Sequence, residues 1–104
     1  MPNYAFTYYG EPSFRSSDDA ARYKEKYMEW LKGLGDAWIN PGTPLGKPKV
    51  VSSSGVSDVG GSNRLTGFSV MKARSIDAAV EIAKGCPHLQ HGIVNVAEVM
   101  EMKM

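Results

Sequence analysis

The stretch TGFSVMKARSIDAAVEIAKGCP (66–87) decides the fold, because its hydrophobic period switches once and both halves are punctuated. From Thr66 to Ala73 the chain alternates, with Phe68 and Val70 on one side of an extended segment and Met71 and Ala73 on the other. Ser75 then stands where a helix N-cap is needed, and Asp77 places negative charge in the first turn. Ile76, Ala79, Val80 and Ala83 form the apolar stripe of that helix, and Gly85 followed by Pro87 stops it. A strand that runs directly into a capped amphipathic helix is half of a plait.

The other half lies upstream. Residues from about Tyr4 to Tyr9 form an aromatic strand, with Tyr4, Phe6 and Tyr8 on one face and Ala5, Thr7 and Tyr9 on the other, ended by Gly10, Glu11 and Pro12. Ser16 and Ser17 offer an N-cap, with Asp18 and Asp19 in the first turn. Ala20, Tyr23, Tyr27, Trp30, Leu31 and Leu34 then recur at spacings of three and four, and Gly33 or Gly35 closes this helix. Asp36 to Ile39 reads as a short strand broken by Asn40, Pro41 and Gly42, and Val50 and Val51 resume an extended run. Pro41, Pro44 and Pro48 cannot donate to a ladder, which puts this segment at a sheet edge or on a bulge. The serine- and glycine-rich run from Ser52 to Asn63 reads either as a solvated hairpin loop or as a flap over a pocket. A final strand covers about Ile93 to Met102.

The order strand, helix, strand, strand, helix, strand predicts an α+β fold, the ferredoxin-like βαββαβ plait, as a single domain over residues 1–104. Such a plait places both helices on one sheet face. The first and last strands carry large residues on both faces, so the uncovered face is apolar enough to need a partner, and a two-fold homodimer is the expected one.

Composition excludes several classes. Twelve basic against eleven acidic residues leave a net charge of +1, which gives no footprint for nucleic acid. The single cysteine, Cys86, cannot form an internal disulfide. No apolar run reaches the roughly 20 residues of a membrane helix, and the N-terminus lacks a signal-peptide pattern. The expectation is a cytoplasmic protein with no membrane partner. Strong catalytic motifs are absent: no Walker loop, no paired-cysteine zinc spacing, no dinucleotide fingerprint and no nucleophile elbow.

Candidate site residues are therefore single side chains. His88 and His91 form a His-x-x-His pair just after the second helix, but Pro87 breaks the helix that would align them as metal ligands, so no metal and no cofactor is expected. Imidazole titrates near neutrality, which makes His88 the candidate acid–base group, emerging at the end of a rigid element. Asp36 follows a helix ending in glycine and is the candidate to orient or share its proton. Arg64, beside the serine-glycine run, is the candidate holder of an anionic group, with His91 and Trp38 as further substrate contacts. Tyr8, Tyr27 and the methionines read as packing, and Cys86 has no basic neighbours to activate it.

Several of these features resemble one family. They are Tyr8, Tyr9 and Gly10 on the first strand, Gly33, Leu34 and Gly35 closing the first helix, Gly67 and Phe68 opening a strand, Ser75 to Ala79 starting the second helix, and Ala83, Lys84, Gly85, Cys86 and Pro87 ending it. Together they resemble the YCII-related domain family, including its branch named for an Asp-Gly-Pro-Phe motif. The resemblance implies plaits that pair as dimeric α+β barrels, with a cleft between sheet and helices sometimes lined by a histidine and an aspartate. It also implies a relative that eliminates chloride from a chlorinated aromatic. Here Ser52 to Ser62 stands where the branch motif would be, and Ser16 to Tyr23 holds no histidine where classical members carry one.

Two functions follow as expectations. One is a cofactor-free lyase or isomerase acting on a small, for instance aromatic, molecule with His88 as acid–base group. The other is a non-catalytic small-molecule-binding or accessory dimer.

Overall fold

The computed structural model describes residues 1–11 and 13–102; Pro12, expected to help end the first strand, lies outside the described residues, as do residues 103 and 104. The chain runs β1 (Asn3–Tyr9), α1 (Ser17–Leu34), β2 (Trp38–Pro44), β3 (Lys49–Ser52), β4 (Gly55–Asp58), β5 (Leu65–Lys72), α2 (Ile76–Lys84) and β6 (Ile93–Glu98), with single 3-10 turns at Gly35–Ala37, Gly61–Asn63 and Pro87–Gln90. The main sheet is antiparallel in the order β2-β5-β1-β6, and both helices pack on one face of it, so the fold is α+β. That strand order is the plait expected from the sequence.

The helix starts are set by the expected caps. The Ser16 side chain accepts the Asp19 N–H at 3.1 Å, and Ser75 accepts the Ala78 N–H at 3.1 Å. Each serine satisfies one of the N–H groups that a first turn leaves without a partner. Gly35 ends α1 at φ +59°, a left-handed conformation that glycine adopts without a Cβ clash, and its N–H returns to the Lys32 carbonyl.

Alternation on the central strands sorts residues between the two faces. Tyr4, Phe6 and Tyr8 from β1, Ser69 and Met71 from β5, and Ala73 just beyond it turn toward the helices and are buried. Leu31 of α1 and Ala79 and Ala83 of α2 close over them, with Tyr27, Trp30, Ile82, Val94 and Val96 around the rim. The Trp30 Nε1–H donates to the Ile82 carbonyl at 3.2 Å and ties the two helices together. Among the described methionines Met71 is in the core, whereas Met28, Met100 and Met102 are exposed, so the packing role expected of them does not hold there.

The opposite face carries Ala5 and Tyr9 of β1, Phe68 and Val70 of β5, and Ile93 and Ala97 of β6, which pair across the ladders as Ala5 with Val70 and Ala97, and Tyr9 with Leu65 and Ile93. Neither helix covers this face. The molecule is accordingly thin, with principal extents of 48 × 39 × 18 Å.

The middle of the chain departs from the sequence expectation in two ways. The second strand does not stop at Asn40 but continues to Pro44 as an edge strand, and its ladder with β5 skips register at Asn40 and again before Thr43. Asn40 makes the irregularity affordable, because its side chain accepts the Gly42 N–H at 2.9 Å and donates to the Thr43 hydroxyl at 3.2 Å. Val50 and Val51 do not rejoin the main sheet. They pair with Ser57 and Val56 in a separate hairpin, β3-β4, whose residues are all exposed. An ion pair between Lys49 and Asp58 closes its open end. Ser52–Asn63, expected as a loop or a flap, holds the turn and second strand of this hairpin and the 3-10 turn at Gly61–Asn63.

Candidate functional site

A cleft opens between the sheet and α1. It encloses about 490 Å³, within the range of small-molecule sites, and its walls are chiefly aromatic: Tyr8 from β1, Tyr23 and Tyr27 from α1, Phe14 from the preceding loop, and His88. Thr43 and Pro44 of β2 and Thr66 and Gly67 of β5 form the remaining side, with Lys24 at the mouth.

His88 is positioned by the stop of α2. Gly85 ends the helix, Cys86 is extended, and Pro87 starts a single 3-10 turn, which swings the next side chain inward instead of along the helix. The imidazole is 3% exposed and lies 5.3 Å from the Tyr8 ring. Its Nε2 is 2.8 Å from the Tyr9 carbonyl oxygen. A carbonyl can only accept, so the proton sits on Nε2, and in the neutral ring Nδ1 keeps its lone pair. Burial holds the His88 pKa below the ordinary histidine value; the Tyr9 carbonyl opposes that shift and His91 adds to it. At neutral pH His88 is an uncharged base.

The tyrosine hydroxyls form an oriented chain. The Tyr27 hydroxyl donates to the Pro41 carbonyl at 2.8 Å, which consumes its proton. At 3.2 Å from it, the Tyr8 hydroxyl must therefore be the donor, and Ser69 Oγ, 2.5 Å away, donates to Tyr8 in turn. Burial raises the pKa of both Tyr8 and Tyr27, so the chain stays protonated. Thr66 likewise spends its hydroxyl proton on the Tyr8 carbonyl, at 3.3 Å. Tyr23 is different. Burial pushes its pKa up to about 12, and the hydrogen bonds of the described residues leave its hydroxyl uncommitted, as a donor toward a ligand.

Cys86 is buried, and that burial, opposed by the His88 backbone N–H, pushes its thiol up to about 11, so it is not a thiolate at neutral pH. No three His, Cys, Asp or Glu side chains gather into a metal-binding group among the described residues.

Of the five residues singled out from the sequence, His88 lines this cleft and four do not. Asp36 is exposed in the turn between α1 and β2, on no wall of the cleft. Trp38, 39% exposed, begins the edge strand opposite Met71. Arg64 is engaged elsewhere, with its guanidinium 3.6 Å from Glu11. His91 sits just outside, edge-on to Phe14 and Tyr23 with centroids 5.1 Å away in each case. Tyr8 and Tyr27, read as packing, do pack in and against the core, and both also line the cleft. For Tyr8 the sequence carried a signal that its hydroxyl is engaged: a serine, Ser69, on the core side of a strand needs a buried partner, and a tyrosine hydroxyl is one.

This geometry belongs to a chain that matches the YCII-related domain over residues 3–103. The chain belongs to the YCII-related domain family. No curated protein sequence matches it. Among solved structures it is similar to 5-chloro-2-hydroxyhydroquinone dehydrochlorinase (TftG) from Burkholderia phenoliruptrix in complex with 2,5-dihydroxybenzoquinone. The TM-score is 0.60 at 14% identity, over 96% of this chain and 95% of that one, and at such identity the likeness concerns the fold. For this YCII-related chain no described helix is long and apolar enough to cross a membrane.

Proposed function

We propose that this YCII-related protein binds a small planar molecule, aromatic or quinonoid, in the cleft and that His88 is its general base, in a cofactor-free lyase or isomerase reaction. The observation that carries the reading is the single hydrogen bond from His88 Nε2 to the Tyr9 carbonyl, which fixes the tautomer of a buried ring on the cleft wall. Nδ1 takes a proton from a bound carbon or hydroxyl. The resulting imidazolium returns that proton to a second carbon, giving isomerisation, or the electron pair expels a leaving group from the adjacent carbon, giving elimination. Tyr23 donates to oxygen on the ligand, and Lys24 adds positive charge at the mouth. The fold shared with a dehydrochlorinase of a hydroquinone supports the aromatic class.

The second reading is a binding or accessory protein, and one observation favours it: among the described residues no carboxylate lines the cleft to support an imidazolium on His88. The two readings separate on 2,5-dihydroxybenzoquinone in D2O, with exchange of its carbon-bound protons followed by NMR. Faster exchange with the native protein, lost in His88→Gln while binding persists, is the expected result. Binding with no acceleration by the native protein overturns the catalytic reading in favour of the second.

The proposed partner is a second copy, through the helix-free sheet face that carries Tyr9, Phe68, Val70 and Ile93. Light scattering at micromolar concentration should give twice the mass of one chain, and Val70→Glu should halve it. A purely monomeric native protein contradicts the proposal.

A further inference from the structure

A second cavity, of about 180 Å³, lies beside the cleft, and Phe14 and Tyr23 wall both. It is too small for a separate ligand of the usual size and reads as an annex of the cleft. Its character is different. Arg22 and Lys26, one turn apart on α1, stand over it, with Gln90 and His91 from the chain that follows α2. Asp19 is the one carboxylate among the described residues of its walls, and that group accepts the Arg15 backbone N–H at 3.2 Å.

The charges around the two cavities are one-sided. Arg22 and Lys26 at the annex and Lys24 at the mouth of the cleft take part in none of the ion pairs formed among the described residues, which join Lys49 to Asp58, Arg64 to Glu11 and Lys84 to Glu81. In a chain whose net charge is +1, three cations on the walls against the one charge of Asp19 is a local excess. Arg64, the arginine that the sequence offered for an anion, lines neither cavity.

We infer that the ligand is an aromatic anion, with its ring in the cleft against Tyr8 and Tyr27 and its carboxylate or equivalent oxyanion in the annex, held by Arg22 and Lys26. This rests on the cleft being the binding site and adds the substrate class. Guanidinium recognises a carboxylate through paired N–H donors and lysine through charge, while the rings of Phe14 and Tyr23, in contact with centroids 5.4 Å apart, form the shared wall that the ligand would straddle. Arg22 and Lys26 thereby set specificity rather than perform chemistry.

The test compares 3-phenylpropanoate with 3-phenylpropanamide, alike in shape and different in charge, by calorimetry and by amide shifts of Tyr23, Tyr27 and His88. The native protein should bind the carboxylate roughly tenfold more tightly than the amide, and salt should narrow the gap. In the double variant Arg22→Gln, Lys26→Gln the preference should fall to about twofold or less, while Lys32→Gln, remote from both cavities, keeps it. Equal affinity for the two probes, or a preference that survives the double substitution, overturns the inference. If the amide shifts the cleft residues and the carboxylate has no advantage, the inference fails and the cleft stands as a binding site. If neither probe shifts those residues, both fail.

Discussion

Replacing Gly92 by alanine attacks the joint that holds His88. Gly92 sits where the 3-10 turn after α2 becomes β6, and it packs against the end of β1. A Cβ there would lie 1.9 Å from the Tyr9 carbonyl oxygen, 3.0 Å from its carbon and 3.1 Å from the Gly10 Cα. No flexible side chain is in the way; the obstacle is backbone. The carbonyl must retreat by about 1 Å, and it is the same oxygen that accepts the His88 Nε2–H at 2.8 Å. Overpacking of this kind costs about 1–3 kcal/mol. Losing the hydrogen bond of a buried imidazole adds about 1 kcal/mol, so the expected loss is about 2–4 kcal/mol, a large share of the 5–15 kcal/mol typical of a domain. Urea unfolding followed by tryptophan fluorescence reads it as a lower midpoint at unchanged slope. Gly33→Ala is the matched control: nothing lies within 4 Å of its Cβ, and as a helix residue it should gain up to about 1 kcal/mol. A loss below about 0.5 kcal/mol for Gly92→Ala, with the His88 tautomer unchanged, would refute the reasoning.

Acid should destabilise the protein through His88. Its folded pKa lies below the unfolded value near 6.5, so the unfolded chain binds the proton more readily, and stability falls as pH drops from about 6.5 through the folded pKa; urea midpoints across that window should show a slope that His88→Gln reduces. The β3-β4 hairpin should exchange its amide hydrogens far faster than β1 and β5, because two strands alone are marginal in water and Val51, 74% exposed, packs on nothing. Hairpin protection equal to that of the central strands would contradict this.

The plait was legible because its signals are local. Ser16 and Ser75 cap their helices by bonds to residues three positions on, and the alternation of Tyr4, Phe6 and Tyr8 places them on the buried face without knowledge of any partner. The course of 38–58 was not legible, because Asn40 rescues a proline-bearing edge strand through side-chain hydrogen bonds that composition does not announce, and Val50 and Val51 had two ladders open to them. At the site, His88 could be found from the Gly85-Cys86-Pro87 stop. Asp36 could not be ruled out, since a carboxylate after a helix faces a cleft or solvent depending on where the turn at Gly35–Ala37 points. Tyr23 and Tyr27 have helical spacing in either role, and only the position of β2 leaves an open cleft beside them.

The central claim is that His88 is a buried, neutral base with its proton on Nε2 and its lone pair on Nδ1, and long-range proton–nitrogen correlation NMR of the imidazole rings tests it most directly. At pH 7 the His88 nitrogens should show the Nε2–H tautomer, and titration should move them only below the ordinary histidine pKa near 6.5. A proton on Nδ1, or an imidazolium at pH 7, would contradict the account.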